Sequence, residues 1–431
     1  MPLWGCIADD FTGATDLATN FVSQGFRTTV VFGAPDPDQS ESRNESDVDV
    51  VVVALKTRTA PVEQAVDESL RSLRYLNSIG AERIYVKYCS TFDSTPAGNI
   101  GPVVDAVMAE LGEAITVVVP SFPQAARTVY QGHLFVGSDL LSESSMRNHP
   151  LTPMTDSSVP RLLSAQTVNR VGLVPLDVVR SGADALSDRV VPGGERTLLV
   201  VDAITEQDLA TIAEATRGLR VVTGGSGLAM GFTHDAGSAD SGSTDGGSAG
   251  SRRDAREIPI NDGYRATLCG SASQATRAQV AHAKQSVPWR KLDLPALRSD
   301  FDSEIASLID WAAGVYEERA DATPLFYSVD SLADTQNVPA GTSELVEQSL
   351  AAIAAGLVRL GARQLIVAGG ETSGRVVSEL GIDRITIGTA IAPGVAWSAG
   401  STADGVPVNV ALKSGNFGAE DMFTSAWAVL A

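Results

Sequence analysis

A chain of 431 residues that is 44% hydrophobic and 19% charged can bury two separate cores, because single domains usually stop growing well short of this length. The formal net charge of −20, with no local run of Lys and Arg to offset it, argues against nucleic acid and against an anionic membrane surface as partners. The opening MPLWGCIADD has no basic region, and the longest apolar runs, 50–55 and 115–119, are strand-sized, so neither a secretory signal nor a membrane span is expected and the protein is placed in the cytoplasm.

In chain order, short Val/Ile-rich runs are each followed by a polar or Gly-rich corner and then a segment of helical period. This pattern predicts βα units and an α/β fold of two domains, each a mostly parallel or mixed sheet flanked by helices. Strands are expected at 3–8, 28–32, 50–55, 84–87, 115–119, 197–201 and 220–223. Val62, Ala65, Val66, Leu70, Leu73 and Leu76 recur at helical spacing and predict one buried face, and the acidic stretch 33–49 reads as a surface loop. The Gly/Ser/Asp-rich segment 233–256 has almost nothing to bury and predicts a flexible linker. It divides an N-terminal domain, 1–232, from a C-terminal domain, 257–431. In the latter, strands are expected at 266–269, 325–329, 364–368, 384–387 and 408–412. A helix over 342–360 is expected to bury Val346, Leu350, Ile353, Leu357 and Leu360.

Cys6, Cys89 and Cys269 are odd in number and widely spaced, which suits neither a disulfide framework nor a CxxC metal knuckle, so they are expected as small buried hydrophobes. His133, His149, His234 and His282 show no HxxxH or HExxH spacing and are read as structural or surface residues; no metal ligand is assigned.

Four segments could carry chemistry. In IADDFTGATD a strand ends at two carboxylates and a helix begins; Asp9 and Asp10 could hold sugar hydroxyls or accept a proton, or Asp9 or Asp10 could simply cap the helix. The segment KYCSTFDSTPAGNIGP and the preceding Lys56-Thr57-Arg58 supply cations and short polar groups. Arg58 and Lys87 suit a carboxylate, and Tyr88, Cys89 and Ser90 line the same corner. The stretch from Pro120 to His133 and the later HPLTPMTD read as an irregular polar excursion between strands. Past the linker, three corners each follow an apolar strand: Gly270-Ser271-Ala272-Ser273, Gly369-Gly370-Glu371-Thr372 and Lys413-Ser414-Gly415-Asn416. The first two also open a helix, which aims free backbone N–H groups at a bound phosphate. Lys413 could reach such phosphates, and Glu371 could help hold Mg2+ through water. None of the three is a Walker A or GxGxxG pattern. The corner Val221 to Gly227 also misses GxGxxG and reads as structural.

Taken together, IADDFTGATD, KYCSTFDSTPAGNIGPV, VAGGETSG and ALKSGNFG resemble, in order and over nearly the whole chain, the four-carbon acid sugar kinase family of 3-oxo-tetronate, D-threonate and D-erythronate kinases. The resemblance implies an N-terminal domain that binds the sugar acid, a C-terminal domain that binds ATP, and γ-phosphoryl transfer to a substrate hydroxyl at the cleft between them. It implies Asp10 with Asp9 as the acidic motif, and Arg58 with Lys87 to Ser90 at the substrate. Ser271, Gly369 to Thr372 and Gly415 match the ATP corners. Asp10 is the first candidate to orient or deprotonate the attacking hydroxyl, and Asp93 the second. RTVYQGHLFV and HPLTPMTDS look most like the 3-oxo-tetronate branch, which would phosphorylate O4. The long Gly/Ser linker departs from the family pattern.

Two rival classes follow from the same corners. A nicotinamide dehydrogenase would need a proper GxGxxG with a following ribose-binding acid, which is missing. A non-catalytic sugar-acid sensor would bind the acid without consuming ATP. Homo-oligomerisation is left open by the sequence.

Overall fold

The computed structural model describes residues 2–35, 47–149, 152–234, 254–336 and 338–430. Most of the predicted linker, the middle of the 33–49 loop and residues 150 and 151 of the HPLTPMTD segment lie outside the described residues. The chain divides into two compact units, Met1–Ala255 and Arg256–Ala431.

The first unit contains β1 (Trp4–Ala8), β2 (Thr28–Phe32), β3 (Val50–Ala54), β4 (Arg83–Lys87), β5 (Ile115–Val119), β6 (Arg127–Tyr130), β7 (His133–Val136), β8 (Asp139–Leu140), β9 (Arg170–Val174), β10 (Thr197–Val201) and β11 (Val221–Gly224). Its main sheet runs β2-β3-β1-β4-β11-β5-β10-β9, with every described pairing parallel. All C-terminal strand ends therefore share one edge. Strands β1, β3 and β5 are buried at every position, which is why they read as unbroken apolar runs: a parallel sheet is covered on both faces. Helices α1 (Phe11–Ser23), α2 (Val62–Ser78) and α3 (Ile100–Leu111) supply much of that cover, α1 against β2 and β3, α2 against β1 and α3 against α2.

The second unit contains β12 (Tyr264–Cys269), β13 (Trp289–Lys291), β14 (Leu325–Tyr327), β15 (Ala362–Ala368), β16 (Arg384–Ala392), β17 (Val395–Ser401) and β18 (Pro407–Lys413). They run β13-β14-β12-β15-β18-β17-β16, parallel as far as β18 and antiparallel across β17. Helices α4 (Gln274–Ala283), α5 (Thr342–Arg359) and α6 (Gly370–Glu379) pack beside them.

The α/β architecture agrees with the sequence reading, with particular corrections. The excursion after β5 is not irregular: β6, β7 and β8 form a separate antiparallel sheet. Their short strands, half-exposed and interrupted by the positive-φ pair Gln131 and Gly132, carry no long apolar run to announce them. Strands β9, β13 and β17 were likewise missed; β9 and β13 lie at sheet edges and are largely solvated. The predicted face of α2 is corrected at Val62, which is 37% exposed, while Ser69, Ser72 and Tyr75 are buried instead. Leu360 is also 37% exposed, because α5 ends at Arg359. Cys6 and Cys269 are buried as expected, but Cys89 is only half-buried.

Candidate functional site

The acidic corner follows β1 directly. Asp10 adopts an extended backbone and caps α1, accepting from the Gly13 N–H at 3.1 Å through Oδ1 and from the Thr12 hydroxyl at 2.9 Å through Oδ2. The cap reading is therefore correct for Asp10, but it does not exhaust the residue. Arg58, brought in after β3 by Thr57 and Arg58 N–H bonds to the Asp9 carbonyl, grips Asp9 with a two-pronged fork at 2.9 Å each and reaches Asp10 Oδ1 at 2.6 Å. Asn99, at the start of α3, donates to the carbonyls of Thr57 and Ala60 at 2.7 and 2.9 Å and so pins the turn that carries Arg58. The sequence reading quoted Asn99 inside its motif without giving it a role.

Lys87 ends β4, the strand beside β1, and the chain turns from one side of the sheet to the other at this β1/β4 crevice, the place where open α/β sheets bind ligands. Its ammonium lies 3.6 Å from Asp10 Oδ1 and 4.0 Å from Asp9 Oδ1 and makes no hydrogen bond among the described residues. Burial disfavours the Lys87 charge, but Asp10 and Asp9 outweigh it and raise its pKa. For Asp10 burial likewise opposes ionisation, and the charges of Arg58 and Lys87 with the cap hydrogen bonds hold the carboxyl down at about 2.

The Tyr88 hydroxyl, buried, lies 3.1 Å from the Thr223 hydroxyl, and Ser90 is half-buried at the following turn. Cys89 Sγ lies 2.9 Å from Thr91 Oγ1, which donates to Asp93 Oδ1 at 2.6 Å. Burial pushes the Cys89 thiol up to about 11, so it is a neutral group here. Phe92, fully buried, takes a positive φ of 52°, a conformation bulky residues rarely adopt and one that turns the chain so that Asp93 re-enters the site. A small cavity of about 30 Å3 is lined by Asp9, Arg58, Lys87, Tyr88, Asp93 and Asn99. Every acceptor-side residue singled out in the sequence thus falls on the edge formed by β1, β3 and β4.

In the second unit the three Gly-rich corners end the adjacent strands β12, β15 and β18 and come together. The Gly369 N–H donates to the Lys413 carbonyl at 2.8 Å, and the Gly270 N–H to the Ala368 carbonyl at 3.0 Å. A β-carbon on Gly415 would lie 2.5 Å from Ser271 Oγ, and one on Gly270 would lie 2.1 Å from Thr372 Oγ1, so a side chain at either position would have to displace a neighbouring hydroxyl. Gly369 has φ 125° and Gly370 begins α6, with Glu371 exposed on its first turn. Ser273 caps α4 and its hydroxyl bonds the Gly415 carbonyl, next to the half-buried Ser414 and the exposed Asn416. Lys413 is fully buried, its Nζ donating to Thr276 Oγ1 and the Gly415 carbonyl at 2.9 Å each; among the described residues no carboxylate pairs with it. Among the described residues, no group of three or more His, Cys, Asp or Glu could hold a metal ion, and no helix is long and apolar enough to cross a membrane.

Comparison with known proteins divides the chain in the same two parts. Residues 4–232 match a family described as a sugar-binding N-terminal domain, and residues 266–423 one described as a nucleotide-binding C-terminal domain. A 3-oxo-tetronate kinase of Cupriavidus necator is 44% identical, the match covering 99% of this chain and 96% of that protein. One from Burkholderia multivorans is 43% identical, with 99% and 96% covered. The crystal structure of a Salmonella typhimurium LT2 protein, provisionally described as a tRNA synthase, superposes with a TM-score of 0.84 at 39% identity, covering 98% of both chains.

Proposed function

The chain belongs to the four-carbon acid sugar kinase family, and we propose that it uses ATP to phosphorylate 3-oxo-tetronate at O4, giving 3-oxo-tetronate 4-phosphate and ADP. The observation that carries this reading is the full-length likeness to 3-oxo-tetronate kinases, joined to an edge on which an ammonium, without hydrogen bonds among the described residues, faces two carboxylates. We assign the acid to residues 1–232 and the nucleotide to residues 257–431, with 233–256 as the linker, in a protein of the cytoplasm.

Phosphoryl transfer asks a protein mainly to position donor and acceptor and to neutralise charge. Lys87, already paired loosely rather than hydrogen-bonded, takes the substrate carboxylate. Arg58 contributes its charge while its fork fixes Asp9 and Asp10. Asp10, held ionised by those cations, accepts a hydrogen bond from the sugar acid and orients it; so low a pKa makes it a weak base. Asp93 keeps Oδ2 free of hydrogen bonds among the described residues and takes the O4 proton. As that O–H bond breaks, O4 bonds to the γ-phosphorus and the bond from that phosphorus to the β,γ-bridging oxygen breaks, releasing ADP.

Ser271, Ser273, Gly369 to Thr372 and Lys413 to Asn416 hold the phosphates, largely through backbone N–H groups. Mg2+ would enter with the nucleotide, and Glu371, exposed on the first turn of α6, would help hold it through water. Bound there it would neutralise charge on the transferring group.

The test is ADP release by the purified chain with ATP and Mg2+ on 3-oxo-tetronate, D-threonate and D-erythronate. The expected result is fastest turnover of 3-oxo-tetronate. Preference for another acid replaces the substrate, and silence across the panel from folded protein returns the chain to the sensor reading.

A further inference from the structure

The main sheet of the first unit ends at β9, and the backbone on the open side of that strand is unpaired. The Arg170 N–H donates to the Arg196 carbonyl and the Val174 carbonyl accepts from the Asp202 N–H, both at 3.1 Å, so the even-numbered residues of β9 face β10. Val171 and Leu173 therefore aim their N–H and C=O groups away from the sheet, and no hydrogen bond reaches them among the described residues. Natural sheets guard such edges with charge, proline or a bulge. The edge strand of the second unit, β13, is guarded in this way: Arg290 and Lys291 are two of its three residues, and Lys291 holds Asp330 and Asp334 at 3.3 and 2.9 Å. Strand β9 carries a single charge, Arg170 at its first position, and Gly172 at its centre.

Two apolar features flank the open edge. At its start Val168 is 97% exposed yet firmly held. Asp105 on α3 accepts from the Thr167 hydroxyl at 2.7 and 2.8 Å, from the Asn169 amide at 2.7 Å and from the Val168 N–H at 3.3 Å, so the turn presents the valine as a fixed knob. At the other end lies a hollow of about 320 Å3, lined by Gly172, Val174, Pro175, Val178, Val191 and Leu199 among others, with Val191 57% exposed. Arg170 and Arg189 also line it, and none of the described residues that do so is acidic. Single exposed apolar residues are ordinary, but a clamped one and an apolar hollow at the two ends of an unguarded edge are not.

A second copy of the chain fits all three features at once. An antiparallel pairing centred on Gly172 uses both outward-facing residues: Val171 of each copy exchanges a pair of N–H···O bonds with Leu173 of the other. Gly172 leaves the centre clear and is kept bare by Leu199, whose Cδ2 would lie 2.8 Å from a β-carbon there. Antiparallel strands bring the start of one to the end of the other, which carries each Val168 knob to the other copy's hollow. Charge favours the same face. A chain of net charge −20 repels its own copies, and their approach is least opposed where arginines stand without carboxylates. We propose that the chain forms a two-fold dimer through β9, the two strands pairing antiparallel about Gly172 with Val168 of each copy seated at the hollow of the other.

The test is sedimentation equilibrium of the full chain from about 0.5 to 50 μM, with hydrogen exchange of the 168–176 peptide at both ends of that range. The expected result is a dimer at the upper end and slower exchange there, because the Val171 and Leu173 amides become bonded only on association. Val168→Glu should weaken association about 10- to 100-fold. Leu173→Pro, which deletes one outward N–H, should leave a monomer. Val168→Glu changes a side chain that is almost wholly solvated, so it keeps the test open should Leu173→Pro fail to fold. A wild type that stays monomeric across the range overturns the proposal. So does a dimer that is as tight in Val168→Glu as in wild type, or one in which the peptide exchanges equally fast at both concentrations.

Discussion

A β-carbon added to Gly13 would stand 2.0 Å from the Lys87 ammonium nitrogen. The glycine is therefore required by the lysine: Lys87 can reach the start of α1, and the Asp10 carboxylate there, only because position 13 has no side chain. On helix propensity alone Gly13→Ala should stabilise the chain by about 1 kcal/mol. The clash reverses that expectation. We predict no gain in melting temperature and a loss of about 100-fold in kcat/KM for the sugar acid, since small displacements of positioned groups are costly. A stabilised variant with full kcat/KM would show that Lys87 does not need its present place.

The Asp10 cluster predicts a pH dependence of stability. Folding lowers this carboxyl from 3.8 to about 2, so its contribution is fully present above the unfolded value and lost as pH falls through the folded one. Asp10→Asn should be less stable than wild type at neutral pH by on the order of 2 kcal/mol, with the gap closing between about pH 4 and pH 2. Urea midpoints of both proteins across that range measure it. A gap that persists unchanged at pH 2 would mean that capping geometry rather than charge carries the effect.

Asp93 and Asp10 should fail in different ways. With Asp93 as the proton acceptor, Asp93→Asn is expected to lower kcat by about 100- to 10,000-fold with little change in the KM for the acid. Asp10→Asn, which removes a fixed hydrogen-bond acceptor, should act more on KM. Kinetics with the two effects exchanged would swap the assignments.

The strands that carry these residues were readable because central parallel strands are buried on both faces and appear as unbroken runs such as Val50–Ala54 and Ile115–Val119. The corners after them were readable as carboxylates, cations and glycines at strand ends. What escaped is whatever depends on a distant partner. Nothing local marks Asp16 as the acceptor of the Ser226 hydroxyl, and Ser226, in a corner read as structural, meets it only where β11 inserts between β4 and β5. The β6–β8 sheet escaped for a different reason: its strands have two to four residues and half-exposed faces, too short for a period to register.

Lys413 should make nucleotide affinity depend on pH. Burial lowers its pKa to about 8, and the neighbouring Cys269 thiol, itself pushed up by burial, offers little compensation. Among the described residues the ammonium has only a hydroxyl and a carbonyl for company, so a bound phosphate would be its first full counter-charge. The protonated form then binds ADP more tightly, which fixes the sign: affinity is level below about pH 8, weakens as pH rises above it, and binding there takes up protons. Calorimetric titrations of ADP from about pH 7 to 9.5, in buffers of different ionisation enthalpy, read both quantities. Lys413→Met should bind more weakly at pH 7 and show neither trend. A wild-type affinity flat across that range, with no proton uptake, would leave Lys413 only its structural task of holding the Gly415 turn.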